Sequence, residues 1–343
     1  MSAKGIEGIE ALEGIEAMLD RVAALRVLVV GDLLLDEYRS GEVVRVSPEA
    51  PVPIVRVRRS ESRLGGAANV ARSVVSMGAE CRLVGIVGQD REGETLLSLV
   101  DALGISTAGI IRSSCRPTTH KLRVVARGQQ MLRLDREEDS AIASELAEKI
   151  RGAVIRAIDG CDVVVLEDYD KGLFGDGLAH WIIELAHSQG RLVVADPKSD
   201  LARFRGASLV KPNLDEAMRF VTGSGRDFEA RRNLLEKLHH ELGGGQVVVT
   251  RGGLGMTGLD EHGQVFDVPT RSLEVYDVQG AGDTSIAVLG LCRAAGASLP
   301  VACLVANAAA AIVVEKFGTA AVASSELRQR LPEILALQQE GMT

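Results

Sequence analysis

Between Arg26 and Thr250 the chain keeps returning to one pattern. A short run of Val, Ile and Leu with few polar interruptions gives way to a stretch whose apolar residues fall three and four apart. The runs Arg26–Asp32, Cys81–Val87, Asp162–Leu166, Arg191–Asp196, Ser208–Lys211 and Gln246–Thr250 read as strands. The stretches Ala67–Met77, Glu92–Leu103, Ala141–Ile158, Asp176–Ser188, Asp227–Leu242, Asp283–Ala295 and Leu299–Lys316 read as helices. A strand that is apolar on both faces has to be covered on both, which an antiparallel sheet with one wet face does not require. The pattern therefore predicts an α/β fold with a central, mostly parallel β-sheet flanked by helices. The ligand site of such a sheet lies at the C-terminal ends of its strands.

Two segments interrupt this rhythm with extended chain. Residues 38–60 carry Val43-Val44-Arg45-Val46 and Pro53-Ile54-Val55-Arg56-Val57, and residues 119–135 run extended again from His120 to Leu134. Strand pairs inserted between α/β units predict a small β lid over the C-terminal edge of the sheet, placed to exclude water. Ahead of the first strand, Ile6, Ile9, Leu12, Ile15, Leu19 and Val22 recur at helical spacing, although glycines weaken the first half. The expected organisation is an N-terminal helix over 1–25, one large domain over 26–330 carrying both lid insertions, and a C-terminal tail over 331–343.

Composition removes several classes of function. A net charge of −8 and 3% aromatic residues provide neither counter-charge for a nucleic-acid backbone nor a platform for stacked bases, so no nucleic-acid partner is expected. The first 25 residues carry glutamate at every turn, and no apolar run is long enough to span a bilayer. Neither a signal peptide nor a membrane partner is expected, and the localisation read from the sequence is cytoplasmic. The five cysteines are widely spaced with no C-x-x-C pair, which argues against a disulfide framework or a zinc site.

The chemistry concentrates in two glycine-rich segments. Asp277-Val278-Gln279-Gly280-Ala281-Gly282-Asp283-Thr284 stands directly before an apolar helix. Small residues at Gly280, Ala281 and Gly282 let successive backbone N–H groups face one space at the positive end of a helix dipole, which suits a transferring phosphoryl group. Asp283 on the first turn can accept a proton from an attacking hydroxyl. The same residues also fit a glycine turn in which Asp283 merely caps the helix. Earlier, Gly65-Gly66-Ala67-Ala68-Asn69-Val70-Ala71 opens a helix whose backbone can approach a ligand and whose Asn69 can bond sugar hydroxyls; a tight turn is the plainer alternative. A chance G-x-G-x-x-G from Gly253 through Gly255 to Gly258 precedes a strand–turn–strand pattern, not the helix that a dinucleotide fold needs. No P-loop motif occurs.

Together these segments resemble the two signatures of the ribokinase, or pfkB-type, carbohydrate kinases. Gly65, Asn69, Gly78 and Gly88 have the spacing of the first; Asp277 to Ala287 follows the second, which departs at Val288, where a smaller residue is usual. The resemblance spans residues 26 to about 325. It implies a ribokinase-like fold and transfer of the γ-phosphoryl group of ATP to a sugar hydroxyl. Asp283 would be the base, with Gly280, Ala281 and Gly282 as the anion hole. It implies that Asn213 and Glu216 organise Mg²⁺ and phosphates through water, although a helix N-cap with Glu at N3 requires the same two residues. Thr250, Gly252, Gly253 and Gly255 would receive the nucleotide, with Lys198 and Asn307 also on the nucleotide side. Asp36 would grip sugar hydroxyls beside Gly65, Gly66 and Asn69, and Asp32 would either do so or cap a turn. A monovalent cation near Asp277 and Gly318 is a further property of the family.

Within that family, Arg45-Val46-Ser47-Pro48-Glu49-Ala50-Pro51-Val52-Pro53, Asp168-Tyr169-Asp170-Lys171-Gly172 and Asp196-Pro197-Lys198 together resemble the kinases of D-glycero-β-D-manno-heptose 7-phosphate. Those enzymes form the 1,7-bisphosphate on the way to ADP-heptose for lipopolysaccharide cores. A basic cluster in the second lid insertion agrees independently: Lys121, Arg123, Arg127, Arg133 and Arg136 stand together in an acidic chain. Alternate strand positions share a face, so Lys121 and Arg123 can converge on the phosphate of a phosphosugar substrate, with Arg133, His120 and Lys198 as further contacts. A solvated basic hairpin is the alternative. The chain ends at Thr343 without an H-x-G-H motif, so a separate adenylyltransferase is expected. A kinase of an unphosphorylated sugar or nucleoside, and a sugar-binding regulator without turnover, are the competing readings. Lid strands leave open edges that pairing across a two-fold axis would cover, which predicts a homodimer.

Overall fold

The computed structural model describes residues 8–221, 228–260, 262–270 and 277–340. Ile6 of the N-terminal stripe, the expected helix start at Asp227 and the last three residues of the expected tail lie outside these ranges. Helix α1 (Gly8–Val22) leads into β1 (Arg26–Gly31), the long strands β2 (Leu33–Val46) and β3 (Pro53–Gly66), and α2 (Ala67–Ser76). Then come β4 (Glu80–Gly88), α3 (Arg91–Asp101), β5 (Ile110–Ser113), β6 (Thr119–Ala126), β7 (Gln129–Arg136) and α4 (Ser144–Ile158). The alternation continues through β8 (Val163–Glu167), α5 (Leu178–Ser188), β9 (Leu192–Asp196), β10 (Leu209–Val210), α6 (Leu214–Phe220), α7 (Phe228–Glu241) and β11 (Gln246–Thr250). The hairpin β12 (Met256–Leu259) and β13 (Val265–Val268) precedes α8 (Ala281–Ala294), α9 (Leu299–Val314) and α10 (Ser324–Glu340).

Nine strands form the main sheet in the order β13-β12-β11-β10-β9-β8-β1-β4-β5. All pairings are parallel except those of β12 and β13. Successive residues of β1 serve opposite cores: Val27 and Val29 join the cluster built with α1, α2, α8 and α9, whereas Leu28 and Val30 join that built with α4, α5 and α7. Burying one such side chain contributes roughly 1.5–3 kcal/mol, which is why the continuous apolar runs demand helices on both sides. The chain builds from β1 out to β4 and β5, then returns to place β8 on the other flank of β1. Strand order reverses there and opens a crevice beyond the C-terminal ends of β1 and β8.

The lid is a second, four-stranded sheet ordered β3-β2-β6-β7, in which β2 pairs antiparallel with β3 and parallel with β6. Its first strand pair extends nearer the core than residues 38–60 suggest, because Leu33, Leu34, Leu35 and Leu64 are buried at its root, whereas β6 begins at the expected Thr119. The expected tail beyond residue 330 is instead the continuation of α10. Leu327, Leu331 and Ile334 lie three and four apart and need cover, which they find in the core that holds Ile15, Met18, Leu19 and Val22 of α1. Arg328 ties the two helices together through Asp20 at 2.8 Å.

Candidate active site

Helix α8 starts at Ala281, and its N-cap is Gly280 (φ 78°, ψ −1°). This left-handed conformation suits glycine, and a Cβ there would also stand 2.8 Å from Asn69 Nδ2. Asp283 is therefore not the cap. Its side chain is 3% exposed at the mouth of the crevice, where Asn69 Nδ2 donates to Oδ2 at 2.6 Å and the Tyr169 hydroxyl donates to Oδ1 at 2.7 Å. Arg72 donates to Asn69 Oδ1 at 2.5 Å, which leaves the Asn69 amide facing Asp283. Burial raises the Asp283 carboxyl above the usual carboxylate range, and the two donated hydrogen bonds work against that shift. Next to it the amides of Gly280 and Gly282 have no protein acceptor among the described residues, whereas the Ala281 amide is turned to within 3.4 Å of the Val278 carbonyl.

On one side of Asp283 a cleft of about 290 Å³ is lined by Asn213, Thr250, Gly252, Gly253, Gly255, Gly282 and Asn307, which gathers the residues expected on the nucleotide side except Lys198 and Glu216. Asn307 spans from α9 to the Pro269 carbonyl at 2.9 Å, so it also braces the wall. A second space of about 460 Å³ links the cleft to Asp283 and contains Lys198, Asn213 and Glu216 with Glu167, Asp168, Asp196 and Lys211. Asn213 and Glu216 do form the capping box of α6: Asn213 Oδ1 accepts from the Glu216 amide at 2.9 Å, and Glu216 Oε2 accepts from the Asn213 amide at 2.7 Å. Glu216 Oε1 lies 3.2 Å from Lys198 Nζ. Burial raises both Glu167 and Asp196, the latter against a 2.8 Å ion pair with Lys211. Asp277 holds the loop before α8 by accepting from the amides of Gln279 (3.0 Å) and Gly318 (3.1 Å).

On the other side a cavity of about 450 Å³ is lined by Asp36, Gly66, Gly280 and Asp283 and by Lys121, Arg123 and Arg133 of the lid. The strand-face argument holds for Lys121 and Arg123, but their partners differ. Arg123 Nη1 bonds Asp36 Oδ1 at 2.5 Å in a buried pair, with side chains 8% and 7% exposed. Lys121 instead meets Asp135 (3.1 Å) and Glu137 (2.9 Å), and Arg133 meets Asp135 at 2.5 Å. His120, expected as a phosphate contact, and two members of the basic cluster are placed elsewhere. His120 faces Glu37 at 3.0 Å, Arg136 is bound to Asp90 and Glu92, and Arg127 occupies the β6–β7 turn at φ 54°. Asp32 does not line this cavity. Its Oδ2 accepts from the amides of Tyr169 (2.8 Å) and Lys171 (3.0 Å), so it fixes the loop after β8, and burial raises it to about 6.

Gly66 lies at φ 56° with the Asp32 carbonyl 2.5 Å from where a Cβ would stand, so only glycine closes this turn without strain. Gly65 passes close to the Asp36 carboxylate. Sequence reasoning did not assign Tyr169, Lys171 and Glu137 to the site, although all three line the cavity, with Lys171 3.1 Å from Glu137. The available signal was the position of Asp168-Tyr169-Asp170-Lys171-Gly172 immediately after an apolar strand, at the end where such sheets bind ligands.

The family model of the pfkB family carbohydrate kinases matches residues 25–326. Bifunctional protein HldE of Pseudomonas syringae pv. tomato is 45% identical over 306 residues, covering 89% of this chain and 63% of that protein. The one from Desulfatibacillum aliphaticivorans is 39% identical over 312 residues, 91% of this chain and 64% of that protein. The chain thus spans less than two thirds of the length of these relatives. Phosphofructokinase-2 from Escherichia coli in complex with potassium aligns with a TM-score of 0.75 at 20% identity, covering 91% of this chain and 99% of that one. Ribokinase of Arabidopsis thaliana complexed with ribose and ATP aligns with a TM-score of 0.68 at the same identity and coverage. At that identity the likeness concerns the fold, which is ribokinase-like. With the family model matching residues 25–326, the chain belongs to the pfkB family of carbohydrate kinases.

Proposed function

We propose that the chain transfers the γ-phosphoryl group of ATP to the C1 hydroxyl of D-glycero-β-D-manno-heptose 7-phosphate, giving the 1,7-bisphosphate in the cytoplasmic route to ADP-heptose and lipopolysaccharide cores. The observation that carries this reading is the cavity that Asp283 and Gly280 share with three lid cations, Lys121, Arg123 and Arg133. A sugar that already bears a phosphate needs fixed positive charge as well as a base at the reacting hydroxyl. The relatives named bifunctional protein HldE and the Arg45–Pro53 lid segment support the heptose assignment.

In this reading the C1 hydroxyl enters from the lid side and passes its proton to Asp283, while its oxygen forms the bond to the γ-phosphorus as the bond to ADP breaks. Gly280 and Gly282 present amides to the charge on the moving group. Arg123 orients Asp36 toward the sugar hydroxyls, and the lid excludes water. Asn213 and Glu216 offer carboxamide and carboxylate oxygens to this space beside Glu167 and Asp196, with Lys198 and Lys211 as the neighbouring cations. That set fits Mg²⁺ held through its waters, which would neutralise the β- and γ-phosphates when bound. Glu216→Gln keeps an acceptor for the Asn213 amide but loses the charge. It is expected to raise the Mg²⁺ requirement and lower the rate, with sugar binding unchanged. Asn213→Ala should do the same and also cost about 1 kcal/mol for the lost helix cap. An unchanged Mg²⁺ titration for both variants would reduce the pair to a helix cap.

The direct test is ATP consumption across a panel of sugars and sugar phosphates. Heptose 7-phosphate should be used best. Preference for an unphosphorylated sugar or nucleoside would favour another kinase of the family, and no turnover with any acceptor would favour a sugar-binding regulator. Val44, Val46, Val52, Leu132 and Leu134 of the lid are 43–65% exposed, which supports a homodimer formed through the lids and testable by sedimentation.

A further inference from the structure

Each oxygen of the Asp283 carboxylate already holds one donor, and the two donors are of different kinds. Asn69 belongs to α2 and is fully buried. Tyr169 comes from the loop after β8, and that loop is itself pinned. Its amide and that of Lys171 both bond Asp32, Asp170 between them is held at φ 55°, and the turn at Gly66 brings the backbone close to the Tyr169 ring. Lys198 Nζ lies 5.8 Å from the ring centroid. The phenol lines the lid-side cavity as well as the space leading to the nucleotide cleft, so it stands where the two substrates would meet. Each carboxylate oxygen accepts more than one hydrogen bond, so the sugar hydroxyl can still reach Asp283 from the cavity.

We propose that Tyr169 is a positioning residue for phosphoryl transfer, whose hydroxyl orients the Asp283 carboxylate toward the acceptor and helps to keep it ionised. This inference rests on the reading of Asp283 as the base. A donor bonded to the charged form favours that form and opposes the effect of burial. Other charged groups act on the same carboxylate: Asp36 from β2, Arg72 from α2, Glu167 from the end of β8, Asp196 from the end of β9 and Lys211 just beyond β10. None of these is altered by changes at Tyr169. Burial and the neighbouring carboxylates push the Tyr169 phenol far up, so it remains a donor throughout the working pH range.

The test compares the acid limb of kcat/KM for the phosphosugar in the wild type, Tyr169→Phe and a protein carrying 3-fluorotyrosine at position 169, with Asp283→Asn as control. Titration of the substrate phosphates is common to all, so displacement between proteins isolates the base. Tyr169→Phe should move the limb up by about one to two pH units, the size expected for losing one hydrogen bond to a charged group. Fluorotyrosine, a more acidic donor, should move it down. A phenol with only a structural role would lower the melting temperature and leave the limb in place. An unmoved limb in both proteins alongside an inactive Asp283→Asn overturns the role of Tyr169 alone. An active Asp283→Asn overturns the base assignment beneath it. If the Phe protein does not fold, the fluorotyrosine protein decides the matter, because it keeps the ring and its packing.

Discussion

Asp283→Asn is expected to fold, to bind ATP and sugar, and to turn over about 10²–10⁴-fold more slowly, the range that general-base catalysis supplies. The carboxamide has nearly the same shape but no basic oxygen pair, so the loss should fall on kcat and leave both KM values close to wild type. The site can absorb the change. Asn69 still needs an acceptor, which the new amide oxygen provides, and the Tyr169 hydroxyl can rotate to accept from the new amide nitrogen. Activity within tenfold of wild type would remove Asp283 from the mechanism and leave it a buried polar contact of α2 and α8.

Arg123 and Arg133 line the same cavity, yet their replacements should fail in different ways. Arg123 and Asp36 form a buried pair, and removing one partner leaves an uncompensated charge. Arg123→Ala should therefore destabilise the protein by about 3–5 kcal/mol, and Arg123→Met combined with Asp36→Asn should recover much of that stability without recovering sugar binding. Arg133 is 47% exposed in its pair with Asp135, so Arg133→Ala should change stability by less than about 1 kcal/mol. Its cost should appear in kcat/KM for the phosphosugar, a loss of roughly ten- to a hundredfold from one charge-assisted contact, with KM for ATP unchanged. A residual reaction with the unphosphorylated sugar should be nearly unaffected. Equal losses on both sugars would mean that the lid had been disturbed as a whole. No loss on either would make the basic lid residues a solvated face and reopen the substrate assignment. Chemical denaturation and steady-state kinetics on the same preparations separate these outcomes.

The parallel sheet was legible in the sequence because burial on both faces writes itself as unbroken runs such as Val27–Val30 and Val163–Leu166, each residue needing cover whichever way it points. The two glycine segments were legible for a similarly local reason: a left-handed Gly280 and a crowded Gly66 are demands of the backbone at one position. The four-residue β5 was missed because so few residues cannot display a period, and the seven-residue α6 was legible only as an alternative, through the cap formed by Asn213 and Glu216. α10 was not among the expected helices because its stripe of Leu327, Leu331 and Ile334 acquires meaning only once α1 lies across it.

Within the site, the sequence by itself determined which residue types gather at the strand ends; their partners were decided by the tertiary structure. Lys121 and Arg123 stand two apart on one strand face, but the β2–β6 register sets Asp36 near enough to claim Arg123, while the β6–β7 pairing sets Lys121 opposite Asp135, which Arg133 reaches from two residues away on β7 itself. Asp32 directly follows β1 and Asp36 stands four residues on in β2, yet one caps the loop after β8 and only the other lines the cavity. Asn69 and Tyr169 reach Asp283 across 214 and 114 residues of chain. No local pattern encodes those contacts, because hydrogen bonds act over a few ångströms and depend on which loops the packed sheet brings within that distance.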